Sequence, residues 1–181
     1  MKYFHKIADN VNVGPLMTAI ARQPELWDEY TLRTATKGTP HSQVSDIWLW
    51  FNDLSEKAAE DIVNDKEVVP YHGWYALPPA RIIVLDLMRY VEAHRLGRVI
   101  ITKLPPGGVI EPHVDGGAPA TYFTRYQLAL QSRPGAVFAI GDEQVNFRDG
   151  EVWLINNQVE HSVVNNSDDD RIVMIMDMRT D

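Results

Sequence analysis

With 181 residues, 45% of them hydrophobic, and no cysteine, the chain is sized for one packed domain and excludes disulfide frameworks, thiol catalysis and thiolate metal sites. A formal net charge of -8 argues against a phosphate-backbone partner, because nonspecific nucleic-acid affinity comes from Lys and Arg neutralising phosphates. No apolar run is long enough to span a bilayer, so the chain is expected to be soluble and cytoplasmic, with neither a nucleic-acid nor a membrane partner.

In chain order, Gly14 and Pro15 open an apolar-periodic stretch through Leu16, Ile20 and Leu26, which predicts an early helix broken at Pro24. His41 falls in the polar turn KGTPHS and is a candidate substrate contact. The run DIWLWF is apolar on both faces, the pattern of a buried strand, with a substrate-lining role for Trp48 and Trp50 as the alternative. Trp74 and Tyr75 are expected in a loop, either packing on the core or covering the site as a lid. Pro78 and Pro79 precede Ile82, Ile83, Leu85, Leu87, Met88 and Val91 at helical spacing, predicting a helix from about Pro79 to Leu96 that carries His94 and stops at Gly97.

From Arg98 onward the pattern changes to short β-type runs: VIITKL, RYQLALQ, AVFAI, EVWLI, HSVV and RIVMIMD. The punctuation between them, Pro105 to Gly108, Gly116-Gly117, Pro134-Gly135, Asp149-Gly150 and Asn165-Asn166, favours tight turns. The predicted architecture is mainly β with flanking helices, a jelly roll with helices covering one sheet. A single domain over 1–181 is expected, with about 1–79 as an N-terminal elaboration and about 80–181 as the long helix plus jelly-roll core.

His113 and Asp115 lie two apart after VIEP, so in an extended chain both side chains point the same way. Alone, such a pair is more often a turn with a side-chain cap. His161 follows EVWLI and a short polar connection, and opens the next strand. Two His and one carboxylate are the ligand set of non-haem Fe(II) oxygenases; a core histidine bonded to backbone is the other reading of His161. Arg171 starts the apolar strand RIVMIMD, where a permanent cation is costly unless it meets an anion. Its planar fork suits a carboxylate, and Asp168, Asp169 and Asp170 are the local alternatives.

Gly97 to Asp177 resembles the aspartyl/asparaginyl β-hydroxylase family on PPGGVIEPHVDGG, RYQLAL, GEVWLINNQVEHSVVNNSDDDR and IVMIMD, taken in that order. The resemblance implies a cupin-like double-stranded β-helix and a hydroxylase that uses Fe(II), 2-oxoglutarate and dioxygen. It makes His113 and His161 iron ligands and Arg171 the clamp on the distal 2-oxoglutarate carboxylate, and it suggests Arg125, Gln127 and Thr102 as further cosubstrate contacts. Asp115 supplies a carboxylate that the family's namesake animal enzyme lacks, so the chain looks more like bacterial relatives with a full triad. Asp177 stands where the nucleic-acid demethylase branch has a second arginine. The implied substrate is an amino-acid side chain, free or in a peptide or protein. A cupin-like metal enzyme without 2-oxoglutarate would use the same three ligands but not Arg171, and a noncatalytic binding module would need none of them.

Overall fold

The alternating runs of the second half become strands of two antiparallel sheets in the computed structural model, which describes residues 1–55 and 61–181. In chain order the strands are β1 (Phe4–Ala8), β2 (Ser45–Phe51), β3 (Val69–Pro70), β4 (Arg95–Leu104), β5 (Val109–His113), β6 (Thr124–Gln131), β7 (Ala136–Ile140), β8 (Glu143–Val145), β9 (Val152–Ile155), β10 (His161–Asn165) and β11 (Arg171–Arg179). The helices are α1 (Gly14–Ala21), α2 (Leu32–Ala35), α3 (His72–Ala76), α4 (Pro78–Tyr90) and α5 (Gly117–Tyr122). The larger sheet runs β1-β9-β6-β11-β4-β2-β3 and the smaller β5-β10-β7-β8. Facing each other, they form the expected jelly roll.

The period of two sorts each strand of the large sheet between two different cores. Tyr126, Leu128 and Leu130 of β6, and Met174, Met176 and Met178 of β11, face outward. There they pack under Leu16, Ile20, Leu77, Ala80, Val84 and Leu87 of the helical layer. Inward, Leu104, Ala129, Trp153 and Ile155 meet Ile110, Phe138, Ile140 and Val163 of the small sheet. Burying both faces requires near-continuous apolar strands, and IVMIM in β11 is one. Trp48 and Phe51 of β2 join a third cluster with Ile62 and Ile100, consistent with a buried strand.

Three expectations change. The long helix ends at Tyr90, short of Leu96: Ala93 N–H bonds to Met88 O at 2.8 Å, and Glu92 adopts φ 56°. Arg95 and Leu96 are drawn instead into β4, opposite Arg179 and Met178 of β11, because a cross-strand ladder there outweighs one more helical turn. Gly97 is therefore a strand residue where a Cβ would lie 3.1 Å from Asp177 O, and His94 sits in the connection with its N–H on Arg179 O. Trp74 and Tyr75 are on α3, not in a loop; Trp74 packs on Trp50 at 5.5 Å and joins the helix-side core, which rules out a lid role for it. The first residues contribute β1, whose Phe4 stands opposite Ile155 and makes edge contacts with Phe138 and Trp153 in the sandwich interior.

Candidate metal and cosubstrate site

His113 ends β5 and His161 begins β10, and the two are direct partners across the β5–β10 ladder. Cross-strand pairing thus brings two histidines far apart in sequence to a ring separation of 4.3 Å. Asp115 follows two residues after His113, in the turn leaving the strand; its N–H bonds to Asn157 O at 3.2 Å. Its Oδ1 lies 3.6 Å from His113 Nε2 and 3.9 Å from His161 Nε2. The candidate ligand atoms of all three lie within 4.8 Å of one another.

The rings are oriented by their other nitrogens. His113 Nδ1 is 2.7 Å from Glu111 O and His161 Nδ1 is 2.9 Å from Val159 O. A carbonyl only accepts, so each Nδ1 carries the proton and each Nε2 presents a lone pair towards Asp115. This backbone support is the kind that fixes the tautomer of metal-ligating histidines. Burial lowers the pKa of His161 against the opposing pull of Asp115, keeping it in the neutral form that a metal requires.

Burial alone would push the Asp115 carboxyl up, but the Arg125 guanidinium and Asn157 hold it well below the usual carboxylate range. Asn157 Nδ2 donates to Asp115 Oδ2 at 2.9 Å, and Arg125 Nη1 donates to the same oxygen. Arg125 in turn grips Asp177 with Nε and Nη2 at 2.7 and 2.9 Å. The structure therefore places Arg125 on two carboxylates inside the barrel, not on solvent.

Arg171, Val173 and Ile175 of β11 share a narrow interior pocket with Thr102, Gln127, Phe138 and the triad. Arg171 is 3% exposed, and its Cζ lies 5.7 and 5.8 Å from the Phe138 and Phe147 ring centres. Among the described residues it has no ion pair, and its Nη2 is buried without a hydrogen-bond partner. Asp169 turns away to Gln131 and Arg133, so the local alternative is not realised. Burial pushes the Arg171 guanidinium down to about 10. Gln127 Oε1 is likewise buried and unpartnered. Thr102 Oγ1 accepts from Arg33 Nη2 at 3.2 Å, beside the paired Arg33 and Asp46.

Some of these residues escaped the sequence reading. Asp177 lies in alternation with Arg171, Val173 and Ile175 on one strand, a pattern that places it on the inner face. Asn157 and Arg33 carry no local signal, since loops and side-chain reach deliver them. The ring of His41, the candidate substrate contact, stands 4.9 Å from His113; burial, then Arg33 and His113, push its pKa down to about 2.

The donor set suits Fe(II): two imidazoles, one carboxylate and no thiolate. The buried unpaired cation suits a dicarboxylate cosubstrate. No curated protein matches this sequence. A prolyl hydroxylase from Trichoplax adhaerens, solved with a hypoxia inducible factor oxygen degradation domain peptide fragment, shares the fold: its TM-score is 0.62 at 10% identity, covering 98% of this chain and 84% of that one. A 2OG-Fe(II) oxygenase family oxidoreductase from Burkholderia pseudomallei has a TM-score of 0.54 at 10% identity, covering 76% and 67%. The model of the Aspartyl/Asparaginyl beta-hydroxylase family matches residues 75–181. With more than half of its length so matched, the chain belongs to the aspartyl/asparaginyl β-hydroxylase family and is an Fe(II)- and 2-oxoglutarate-dependent hydroxylase.

Proposed function

We propose that His113, Asp115 and His161 hold the iron and that Arg171, with Gln127 and Thr102 beside it, receives the distal carboxylate of 2-oxoglutarate. One observation carries this reading: Arg171 is a buried cation with an unpartnered Nη2, in the same pocket as the triad. Burying a charge without its counterion is costly, so a site that does so is built for an anion that arrives later. A cupin-like enzyme without 2-oxoglutarate has no use for that arrangement.

Iron and 2-oxoglutarate supply oxygen activation coupled to decarboxylation of the cosubstrate to succinate. The chain's own residues do the positioning. Glu111 O and Val159 O hold the two imidazoles as Nε2 ligands, and Arg125 and Asn157 keep Asp115 ionised and aimed. Arg125 is thereby a positioning residue for Asp115. Ile110, Phe138, Val163, Val173 and Ile175 line the pocket and exclude water from the reacting end.

The substrate is an amino-acid side chain, free or within a peptide or protein; support comes from the family's description and from the peptide bound in the Trichoplax adhaerens prolyl hydroxylase. The whole of 1–181 acts as one oxygenase domain, which is supported by β1 and β2 pairing directly with β9 and β4 of the jelly roll. Succinate release with Fe(II), 2-oxoglutarate and ascorbate, measured across a panel of free amino acids and peptides, tests the reading. Succinate formation above the substrate-free rate with at least one panel member is expected; none with any member would overturn the substrate class.

A further inference from the structure

Beside the triad lies a wider cavity of about 350 Å³ with Asp115 in its wall, Phe51, Ile62, Ile100 and Ile175 as apolar lining, and Arg98 among them. That volume is near the lower end of the roughly 300–1,000 Å³ typical of small-molecule sites, enough for one amino-acid-sized group. Arg98 shares the inner row of β4 with Ile100 and Thr102, so the strand's alternation puts its head on this side.

The other interior arginines are each given a carboxylate. Arg33 is paired with Asp46, and Arg125 with Asp115 and Asp177; Arg171 is assigned above to the cosubstrate. Arg98 makes no ion pair among the described residues. Its Nε donates to Asn52 Oδ1 at 2.8 Å and its Nη2 to Ile62 O at 3.3 Å, both neutral acceptors. Asn52 spends its own Nδ2 on Asp65 O and Glu67 O, which leaves Oδ1 facing the guanidinium. The Phe51 ring lies 4.6 Å beneath Arg98 Cζ. The fork is thus held in place before any ligand arrives, with N–H groups left over and no carboxylate in direct contact among the described residues.

We propose that Arg98 anchors a carboxylate of the substrate in this cavity, so that the enzyme acts on a compact group bearing one carboxylate on an apolar stem. This rests on the assignment of the triad and Arg171 given above. The carboxylate comes from a free acid, such as an amino acid, or from an acidic side chain within a peptide; both present the same chemistry to Arg98.

The test is calorimetric titration of the Mn(II)-loaded protein with 2-oxoglutarate saturating, so that Arg171 is occupied. The probes are 4-methylpentanoate, its amide, and N-acetyl-L-aspartate methylamide. At least one carboxylate is expected to bind, with 4-methylpentanamide about thirtyfold weaker than 4-methylpentanoate if the free acid is the ligand. Arg98→Gln should erase the preference and Arg98→Lys restore it in part. Binding of N-acetyl-L-aspartate methylamide alone would assign the carboxylate to a peptide side chain. If neither carboxylate binds, if acid and amide bind equally, or if Arg98→Gln leaves carboxylate affinity intact, the proposal is wrong. The acid-to-amide comparison uses wild-type protein and does not depend on the variants folding. Affinity for 2-oxoglutarate is read in the same samples: if the wild type does not bind it, the cosubstrate assignment fails, and the acid and amide titrations repeated without it still decide Arg98.

Discussion

Asp177 accepts two hydrogen bonds from Arg125, at 2.7 and 2.9 Å, across adjacent strands where the two residues are direct partners. This pairing consumes one edge of the guanidinium and directs the remaining Nη1 to Asp115. Loosening it in Asp177→Asn should let Arg125 compete with the metal for Asp115. A weakening of Mn(II) affinity by about tenfold to a hundredfold is expected, the usual scale for losing a partner behind a metal ligand. Arg125→Ala leaves Asp177, 3% exposed, without its cation, and should destabilise the fold by about 3 to 5 kcal/mol. Urea unfolding of both variants, with metal titration, separates the two effects; wild-type metal affinity in Asp177→Asn would show that Asp115 needs no such support.

The triad assignment predicts one Mn(II) site, abolished by His113→Ala and by His161→Ala and strongly weakened by Asp115→Ala. Calorimetry on the four proteins decides it. Retained affinity in either histidine variant removes that residue from the ligand set.

For Arg171 the two sides of the ledger run in opposite directions. Arg171→Leu should cost about 2 to 5 kcal/mol in 2-oxoglutarate binding, roughly thirtyfold to several thousandfold, as truncating one member of a buried charge pair does. The same change removes an unpaired buried cation from the cosubstrate-free protein, whose urea midpoint should stay level or rise. Arg171→Lys should recover only part of the affinity, because an ammonium lacks the planar fork. Following the visible charge-transfer band on anaerobic addition of 2-oxoglutarate to the Fe(II) protein provides the binding arm. Equal bands in all three proteins would mean that Arg171 is not the clamp.

Glu151 ties β1 to the sheet through Lys6 at 2.8 Å and holds Trp153 Nε1 at 3.0 Å. Burial alone would raise its pKa, but Lys6, the Arg148 N–H and Trp153 lower it below 4.5. A carboxylate with a depressed folded pKa adds stability that is complete above its unfolded value and is lost as pH falls through the folded one. Stability should therefore fall with pH below about 4.5, and Glu151→Gln should flatten that limb. An unchanged slope in the variant would show that Glu151 contributes nothing to acid sensitivity.

How much of this was legible from residues alone depended on whether the signal was local. Each of the six β-type runs became a strand, and Arg125 and Gln127 face inward opposite Tyr126 and Leu128 because alternation is a property of two neighbouring residues. The end of α4 was misplaced for the opposite reason. Residues Val91 to Leu96 keep a helix-compatible pattern, and only the distant β11 claims Arg95 and Leu96 for a strand. β1 was missed because a short mixed run such as FHKIA becomes a strand only when β9 offers it an edge.

The sequence by itself determined the composition of the site: histidines and carboxylates without thiols, an arginine at the head of an apolar strand, and a two-residue spacing that puts His113 and Asp115 on one side of an extended chain. Tertiary structure alone decided the register that sets His161 against His113, and it decided that Arg125 serves Asp115 and Asp177 while, among the described residues, Arg171 and Arg98 stay without a carboxylate. Sequence marks Arg171 at the head of an apolar strand, but it does not say which of the three meets a carboxylate of the protein. What separates them is which carboxylates the folded strands bring within about 3 Å, and charge–charge contact at that range is fixed by cross-strand pairing and not by neighbours along the chain.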